Sequence, residues 1–364
     1  MTYATPSETT PKRIAILIES GFEDSEFTVP YTALKRTDAK IVLVGSRMNE
    51  EYTGKKGKVT VSPDATATEV LSDDFDAVLI PGGHAPDKIR RNDRAVRLVM
   101  DAMAQGKVVA AICHAPHVLV EADQLRDRRA TGFHSVRKDM QNAGATYVDE
   151  PVVVDGPLIT SRRPGDLPLF TTVLLSQLGL AIEGEALPDL DDQEYDWWKL
   201  AESWGGSNRQ DILNVINTAL VGERYTQAAF RQYLGKVSDA EAKTVFTEVI
   251  TAKETHIEQL EMRLRAFGEE VSWQAIGSEA LATLQNWIQS SDEVEILRRA
   301  LGDLQTGALD AAKFSGQLTD PVTSDLLDRI AQTLTRLEAR VGDLYRARLG
   351  SEVEPPLPTT AALG

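Results

Sequence analysis

Five short runs of apolar, largely β-branched residues recur along the first half of the chain, with helical patterns between them. The runs are Ile14–Ile18, Ile41–Val44, Ala77–Ile80, Val108–Ile112 and Val152–Val154. Because they are continuously apolar rather than alternating, they predict strands of a parallel sheet that is buried on both faces. The amphipathic segments that separate them are 26–36, 92–105, 114–124 and 135–143. This alternation predicts a doubly wound α/β domain.

After residue 208 the strand pattern ends, and apolar residues recur every three or four positions. The four stretches with this spacing are 209–236, 239–267, 292–316 and 323–348. Gly268 and the sequence Thr319-Asp320-Pro321 are typical of helix ends and breaks. The second half is therefore predicted to be an all-α four-helix bundle.

Charge separates the two halves. The net charge is −16, and residues 183–208 alone hold eight acidic residues and one basic residue. This segment also contains Pro188 and a Gly-Gly-Ser sequence, which favours a linker. Its three tryptophans, Trp197, Trp198 and Trp204, are expected to pack on a domain surface. We therefore predict an α/β domain at 1–182, a linker at 183–208, a bundle at 209–350 and a disordered tail at 351–364.

Several classes of function are excluded by composition. An acidic chain lacks the positive surface that nucleic acids and anionic membranes attract, so neither is expected as a partner. The longest mostly apolar stretch, Leu169–Ile182, is too short to span a bilayer. The single cysteine cannot form an intrachain disulfide, and the first twelve residues lack the apolar core of a secretory signal. A cytoplasmic location is expected.

Cys113 occupies the most informative position in the chain. It directly follows the buried run Val108–Ile112 and precedes a helical segment. This strand–turn–helix order is that of a nucleophile elbow, with small residues, Ala111 and Ala115, two positions to each side. The amides at the start of the helix would favour the thiolate, so the thiol is expected to be acidic and oxidisable.

Six motifs in order make the first half, from about Lys12 to Leu180, resemble the PfpI family of intracellular cysteine hydrolases. That family belongs to a superfamily with the parkinsonism-associated deglycase and class I glutamine amidotransferases, and it has a flavodoxin-like fold. The motifs are Gly21-Phe22-Glu23-Asp24, Pro81-Gly82-Gly83 with Ala85-Pro86, Ala111 to Pro116, Asp139-Met140 with Asn142-Ala143-Gly144, Val152 to Gly156, and Thr160-Ser161-Arg162. Each is modest alone, but six at the family's spacing are specific.

The resemblance implies a role for each of five residues. Cys113 matches the nucleophile, and His114 matches the general base and acid. Glu23 matches the glutamate that shares a hydrogen bond with the sulfur, which requires a protonated carboxyl group. Asp87 stands where such proteins place a glutamate that reaches the histidine of a neighbouring subunit. The amides of Gly83 and His114 match the oxyanion hole. A homo-oligomer and no cofactor are therefore expected.

Three positions depart from the family pattern. Asp87 is shorter than the usual glutamate and must still reach across an interface. Ala115 replaces a common glycine. Phe133 stands where tyrosine or histidine often lies near the sulfur, and His134 is one residue too late to replace it. The loss of that polar group could narrow the range of substrates.

The helical half resembles ferritin-like bundles of the rubrerythrin type, more weakly. In that fold, di-iron chemistry needs a Glu from each of two helices and a Glu-x-x-His from each of the other two. Glu223 and His256 lie on core faces, but Lys253 occupies the position three before His256. Further ligands are missing from the later helices. On the fourth predicted helix Glu338 is followed at plus three by Val341, and the third offers only Asp303 and Asp310. We expect no metal, a Lys253–Glu223 ion pair, and a bundle that serves oligomerisation or docking.

The leading hypothesis for function is a stress-response enzyme in which Cys113 attacks a carbonyl or acyl carbon. The resemblance implies glyoxalase-type conversion of methylglyoxal or deglycation of protein or nucleotide adducts, with a small aldehyde or a glycated or peptide substrate. Intracellular peptide hydrolysis is the alternative within the same class. An alternative of another class is a redox-sensing stress protein in which Cys113 is oxidised to the sulfinic acid.

Overall fold

The computed structural model describes residues 11–192, 194–269 and 292–348. The predicted disordered tail lies outside them. The chain divides into two compact units, one comprising 1–208 with 319–321 and the other 209–318 with 322–364.

The first unit contains eleven strands and seven α-helices among its described residues. The strands are β1 (Arg13–Leu17), β2 (Lys40–Gly45), β3 (Tyr52–Thr53), β4 (Thr60–Val61), β5 (Ala65–Thr66), β6 (Ala77–Ile80), β7 (Val108–Ile112), β8 (Arg129–Ala130), β9 (Thr146–Tyr147), β10 (Val152–Asp155) and β11 (Leu158–Ser161). The helices are α1 (Asp24–Lys35), α2 (Ala85–Ile89), α3 (Asp93–Ala104), α4 (Pro116–Glu121), α5 (Arg137–Asn142), α6 (Leu167–Leu178) and α7 (Trp197–Ser203).

The main sheet has seven strands in the order β10-β11-β7-β6-β1-β2-β5. All neighbours are parallel except β10 and β11, which form an antiparallel hairpin. The doubly wound α/β prediction is confirmed, and the central order is that of a flavodoxin-like sheet. The first four predicted strands correspond to β1, β2, β6 and β7.

The prediction for Val152–Val154 is wrong in its direction. This run is the antiparallel edge strand β10, and the strand that continues the parallel sheet is β11, which the apolar pattern misses because half of it is Thr160-Ser161. A two-residue turn at Gly156-Pro157 joins the two strands, with Gly156 at φ +59°. A glycine at the first turn position after an apolar run is a hairpin signal that the sequence contains.

Strand order fixes where side chains can meet. The chain leaves β1 for β2 on one side and later returns to β6 on the other, so a crevice opens beyond the carboxyl ends of β1 and β6. The loops after β1, β6 and β7 carry Glu23, Gly83 and Cys113, respectively. Because His114 directly follows Cys113 in the same turn, four of the five predicted site residues emerge at the same edge of the sheet.

Residues 183–208 belong to the first unit. Trp197 and Trp204 are part of its apolar core, and Trp204 is completely buried. Arg36 of the sheet domain pairs with Glu185 at 2.5 Å. The segment predicted as a linker is thus packed on the domain that precedes it, as its tryptophans indicated.

The second unit contains four long helices among its described residues. They are α8 (Arg209–Lys236), α9 (Ala240–Ala266), α10 (Glu293–Ser315) and α11 (Pro321–Arg348). The first residue of α11, Pro321, is assigned to the first unit. Their bounds agree with the predicted stretches to within three residues. The carboxylates of Asp239 and Asp292 cap α9 and α10 by accepting backbone N–H bonds. No helix in the described ranges has the length and apolar character needed to cross a membrane.

We expect Trp204→Ala to destabilise the first unit by roughly 3–5 kcal/mol, because it removes a fully buried aromatic side chain. Thermal or urea unfolding of the full chain measures this loss. Trp198→Ala is the matched control, since Trp198 is only partly buried in the same segment. Equal, small losses in both variants would contradict the packing of 183–208 on the sheet domain.

Candidate active site

Cys113 lies in the sharp turn between β7 and α4. Its φ is +60°, a left-handed conformation that residues other than glycine rarely adopt. The turn is held from both sides, because the Cys113 amide donates to the Ser161 carbonyl at 2.9 Å and its carbonyl accepts from the Phe133 amide at 2.9 Å. The side chain is 6% exposed. The predicted elbow is therefore present, with the sulfur facing into the crevice side of the sheet.

The carboxyl group that contacts the sulfur belongs to Glu26 in α1. It is completely buried and hydrogen-bonds the Cys113 side chain. The Oε2 atom of Glu26 accepts a 2.7 Å hydrogen bond from the Gly82 amide. A Cβ on Gly82 would come within 2.6 Å of that Glu26 oxygen and 2.9 Å of the Cys113 Cβ. Only glycine at position 82 leaves room for this arrangement.

Glu23 was expected in that role, and the structure corrects the assignment. Its carboxylate forms ion pairs with two lysines of the loop between β3 and β4, Lys56 at 2.6 Å and Lys55 at 3.6 Å. Glu23 is buried one helical turn before Glu26 and acts on the site through its charge.

Burial shapes the protonation of the thiol and its carboxyl partner. Burial and the nearby Glu23 charge raise the pKa of Glu26 to about 8. Burial and the Glu26 and Glu23 carboxylates likewise raise the pKa of Cys113 well above its usual value. The expectation of an acidic thiol is therefore wrong for the resting site. The His114 amide donates a hydrogen bond to Cys113 and lowers its pKa, but by less than burial and the carboxylates raise it. Helix α4, which was expected to favour the thiolate, has only six residues.

His114 is a neutral base in this environment. Burial is the main cause that lowers its pKa to about 4, with smaller contributions from His117 and Lys55. Its ring packs beside Phe133, with centroids 5.1 Å apart, and Phe133 in turn contacts His134 at 4.2 Å. The apolar ring of Phe133 thus lies where related proteins often have tyrosine or histidine. It contributes to the burial that keeps His114 uncharged near neutral pH.

Asp87 lies in α2 and faces His117 within this chain. The distance from its carboxylate to His117 Nδ1 is 3.3 Å, and Asp139 of α5 lies 3.4 Å from Nε2 of the same ring. His117 is one turn after His114, and the two ring centroids are 6.1 Å apart. Asp87 therefore acts on His114 by charge and through His117. A contact with a neighbouring subunit stays a prediction.

Gly83 joins the loop after β6 to the loop after β1. Its φ is +75°, and it forms a bridge with Phe22. A Cβ there would come within 2.5 Å of the Glu23 amide nitrogen and of the Gly21 carbonyl oxygen. The adjacent amides of Glu23 and His84 are used in this bridge. Gly83 therefore brings a backbone segment next to the thiol, where an oxyanion donor is needed.

Comparison with known proteins identifies this arrangement. The sequence profile of the DJ-1/PfpI family matches residues 12–177. Protein/nucleic acid deglycase 2 of Escherichia coli is 42% identical over 169 residues, which are 46% of this chain and 98% of that protein. The chain belongs to the DJ-1/PfpI family.

Other DJ-1/PfpI relatives carry different names. General stress protein 18 of Bacillus subtilis is 44% identical over 46% of this chain and 98% of its own length. Deglycase PfpI of Pyrococcus furiosus is 42% identical over 43% of this chain and 92% of its own length. A crystal structure from Anabaena variabilis contains DJ-1/ThiJ/PfpI-like and ferritin-like domains in one protein. It is 50% identical, with a TM-score of 0.91, and the match covers 96% of this chain and all of that one.

A signal for Glu26 was present in the sequence. Apolar residues follow it at plus three, four, seven and eight, namely Val29, Pro30, Ala33 and Leu34, and all four are buried. An acidic side chain on the buried face of a helix needs a hydrogen-bond partner or a counterion, which marks Glu26 as a candidate site residue. Glu23, by contrast, precedes the helix as its N-cap residue. Sequence reasoning also missed His117 and Asp139, which only the packing of α4 against α5 brings together.

The ferritin-like unit has a buried charged cluster instead of a full set of metal ligands. Lys253, completely buried, lies 3.0 Å from one oxygen of Glu223, and His256 Nδ1 lies 2.8 Å from the other. The predicted Lys253–Glu223 pair is confirmed. The lysine and histidine hold the pKa of Glu223 below its usual value despite burial. Asp303 binds the Tyr233 hydroxyl at 2.8 Å.

These residues do not fit a di-iron centre. Both oxygens of Glu223 are occupied, and an ammonium group stands where a Glu-x-x-His motif would place a carboxylate. Within the described ranges, no group of three or more His, Cys, Asp or Glu side chains is arranged to hold a metal.

We expect Glu26→Gln to stabilise the protein in a pH-dependent way. A carboxyl group whose pKa is about 8 when folded and near 4.5 when unfolded stays protonated in the folded state while the unfolded chain ionises. The unchanged protein therefore loses stability as pH rises through this window, and the glutamine variant lacks that loss. Thermal melts from about pH 5 to about pH 9 should show a growing difference in Tm. A difference that stays constant, or equals that of Glu23→Gln, would contradict the assignment of Glu26.

We expect Lys253→Met to cost roughly 3–5 kcal/mol, because it leaves the buried Glu223 carboxylate without its ammonium partner. Urea unfolding monitored by helix content measures the loss. Lys243→Met is the control, since Lys243 is exposed on the same helix. Elemental analysis of the purified protein is the second readout. Near-stoichiometric bound iron, or equal stability of the two variants, would refute the view that Lys253 replaces metal charge.

Proposed function

We propose that this chain is a cysteine-dependent enzyme that acts on small aldehydes and their early adducts, as a glyoxalase or deglycase. The observation that carries the proposal is the buried elbow, where the Glu26 carboxyl group hydrogen-bonds the Cys113 side chain and the neutral His114 is the next residue in the turn. A thiol that is 6% exposed favours a small carbonyl compound over a folded protein. The names of the Escherichia coli and Pyrococcus furiosus relatives support deglycation.

The resting protonation states suit addition to an aldehyde. At neutral pH Cys113 holds its proton, and His114 is unprotonated and able to accept it. As the carbon–sulfur bond forms, the carbonyl π electrons move to oxygen, which takes up a proton relayed from His114. Glu26 is protonated below about pH 8. It therefore donates a hydrogen bond to the sulfur when the sulfur gives up its proton to His114. The cluster thus delivers a nucleophile only when substrate is present.

The remaining steps need only proton transfers and one water molecule. For methylglyoxal, a proton moves from the former aldehyde carbon to the neighbouring carbonyl carbon, and the hydroxyl proton of the hemithioacetal moves to the neighbouring oxygen. These two transfers convert the carbon bound to sulfur into the carbonyl of a thioester and the former ketone into an alcohol. Water then hydrolyses the thioester to lactate and restores the thiol. The amides of Gly83 and His114 are the proposed donors to the oxyanion in both additions. For a hemiaminal adduct of an amine, sulfur takes the place of nitrogen on the former aldehyde carbon. The carbon–sulfur bond forms, the carbon–nitrogen bond breaks, and the amine leaves with the proton of the thiol.

Redox sensing through Cys113 remains the candidate from another class. A sensor thiol is most reactive as an exposed thiolate. Here burial and carboxylates raise the pKa of Cys113, which keeps the thiolate fraction low at neutral pH. The low exposure of the thiol, 6%, is the observation that favours the enzyme over an exposed sensor. The stress-protein name of the Bacillus subtilis relative is compatible with either.

We expect the purified protein to convert methylglyoxal to lactate, and Cys113→Ser to reduce the rate to that of buffer. His114→Gln should lower kcat/KM by about 100-fold or more, because proton transfer is lost. Activity of the unchanged protein should fall as pH drops through about 4, where His114 gains a proton. His134→Gln is the control, as His134 lies beyond Phe133. Background rates with methylglyoxal, combined with rapid oxidation of Cys113 by peroxide, would favour the sensor, and cleavage of peptides alone would favour a peptidase.

A further inference from the structure

Two lysines that pair with Glu23 belong to a loop whose backbone is held by hydrogen bonds. The loop between β3 and β4, residues 54–59, is held by the buried carboxylate of Asp24, which accepts backbone N–H bonds from Lys56 and Lys58 at 2.8 Å and from Val59 at 3.0 Å. The Lys55 amide donates to the Phe22 carbonyl at 2.7 Å. The position of the lysines is therefore set by the backbone rather than by their own side chains.

Both ammonium groups face the catalytic cluster. They pair with Glu23, whose amide donates to the Gly82 carbonyl at 3.3 Å, and Gly82 packs against the Cys113 side chain. Lys56 holds Glu23 tightly at 2.6 Å, whereas Lys55 lies 3.6 Å from it and keeps 43% of its side chain exposed. Lys55 is therefore free to bind a second anion.

Several charged groups lie around the opening on this side. Two carboxylates, Glu23 and Asp24, balance the ammonium groups of Lys55 and Lys56, but both carboxylates are buried, and Asp24 is bound by three backbone N–H groups of the loop. The side chains of Lys55 and Lys56 are 43% and 32% exposed. On the other side of His114, Asp87 and Asp139 are both directed at His117. The charges that an incoming molecule can reach on the Glu23 side are therefore the two ammonium groups, in a chain whose net charge is −16.

We propose that Lys55, positioned by Asp24 and supported by Lys56, is an anion-binding residue that selects carbonyl substrates carrying a carboxylate or another negative group. The proposal rests on the proposed function and names its substrate class. The simpler alternative is that both lysines serve only to neutralise Glu23. The two differ in whether a negative group on the incoming molecule accelerates its reaction with Cys113.

A pair of alkylating reagents separates these alternatives. Iodoacetate and iodoacetamide have nearly the same shape and differ in charge, and Cys113 is the only cysteine in the chain. In both reactions the carbon–sulfur bond forms, the carbon–iodine bond breaks, iodide leaves and the thiol proton is released. The ratio of the two rate constants therefore reports the electrostatic preference of the site and does not depend on turnover.

We expect Lys55→Met to lower the iodoacetate-to-iodoacetamide rate ratio by about three- to tenfold, the effect of removing one nearby positive charge. Lys55→Arg should retain the ratio, which guards against a purely structural effect. Lys58→Met is the matched control, because Lys58 is exposed on the same loop and its ammonium forms no ion pair in the described structure. Raising the salt to about 1 M should reduce the difference between Lys55→Met and the unchanged protein.

The proposal is overturned if Lys55→Met and Lys58→Met give the same ratio, or if Lys55→Arg behaves like Lys55→Met. Glyoxylate, the carboxylate-bearing counterpart of glyoxal, supplies the second readout. It should slow iodoacetamide labelling of Cys113 at lower concentration than glyoxal does, and Lys55→Met should remove this advantage. If the charge preference is found but methylglyoxal is not converted, the proposed function fails and the anion site stands. The reverse outcome leaves the enzyme and removes the site.

Discussion

The active site depends on one buried carboxyl group that touches both the nucleophile and the loop opposite it. Glu26 accepts from the Gly82 amide through one oxygen and hydrogen-bonds Cys113. It therefore ties α1 to the loop after β6 and to the elbow after β7. Because it is buried, it remains protonated up to about pH 8, and a charged group could not occupy this position without a counterion. The geometry of the thiol and its protonation are consequences of the same contact.

Three buried glutamates show three different ways to keep a carboxyl group inside a protein. Glu26 holds a proton, Glu23 is matched by two lysines on an ordered loop, and Glu223 is matched by a lysine and a histidine in the helical unit. The first leaves an acid that can donate a proton, the second leaves two partly exposed ammonium groups at the opening, and the third leaves a carboxylate bound by two basic side chains. Each solution gives its surroundings a different chemical property.

Much of the fold and part of the site could be predicted from the sequence because they depend on local pattern. Continuous apolar runs indicated the central strands, three- and four-residue spacing indicated the long helices, and the residues around Cys113 indicated the elbow. The choice between Glu23 and Glu26 was not local, since it depends on which carboxyl group faces the loop that carries Gly82. The His117 contacts with Asp87 and Asp139 likewise need three helices in place. The pKa of Cys113 depends on burial and on carboxylates from elsewhere in the fold, so motif and helix position alone gave the wrong sign.

The lysine in the core of the helical unit has a consequence for how the protein is made. A bundle that draws its positive charge from a metal completes its core only when the cell supplies that metal, and its abundance follows metal availability. Lys253 is part of the chain, so the positive charge that the buried Glu223 carboxylate requires is present as soon as the protein is synthesised. The charge balance of this core is therefore a property of the sequence and needs no bound ion.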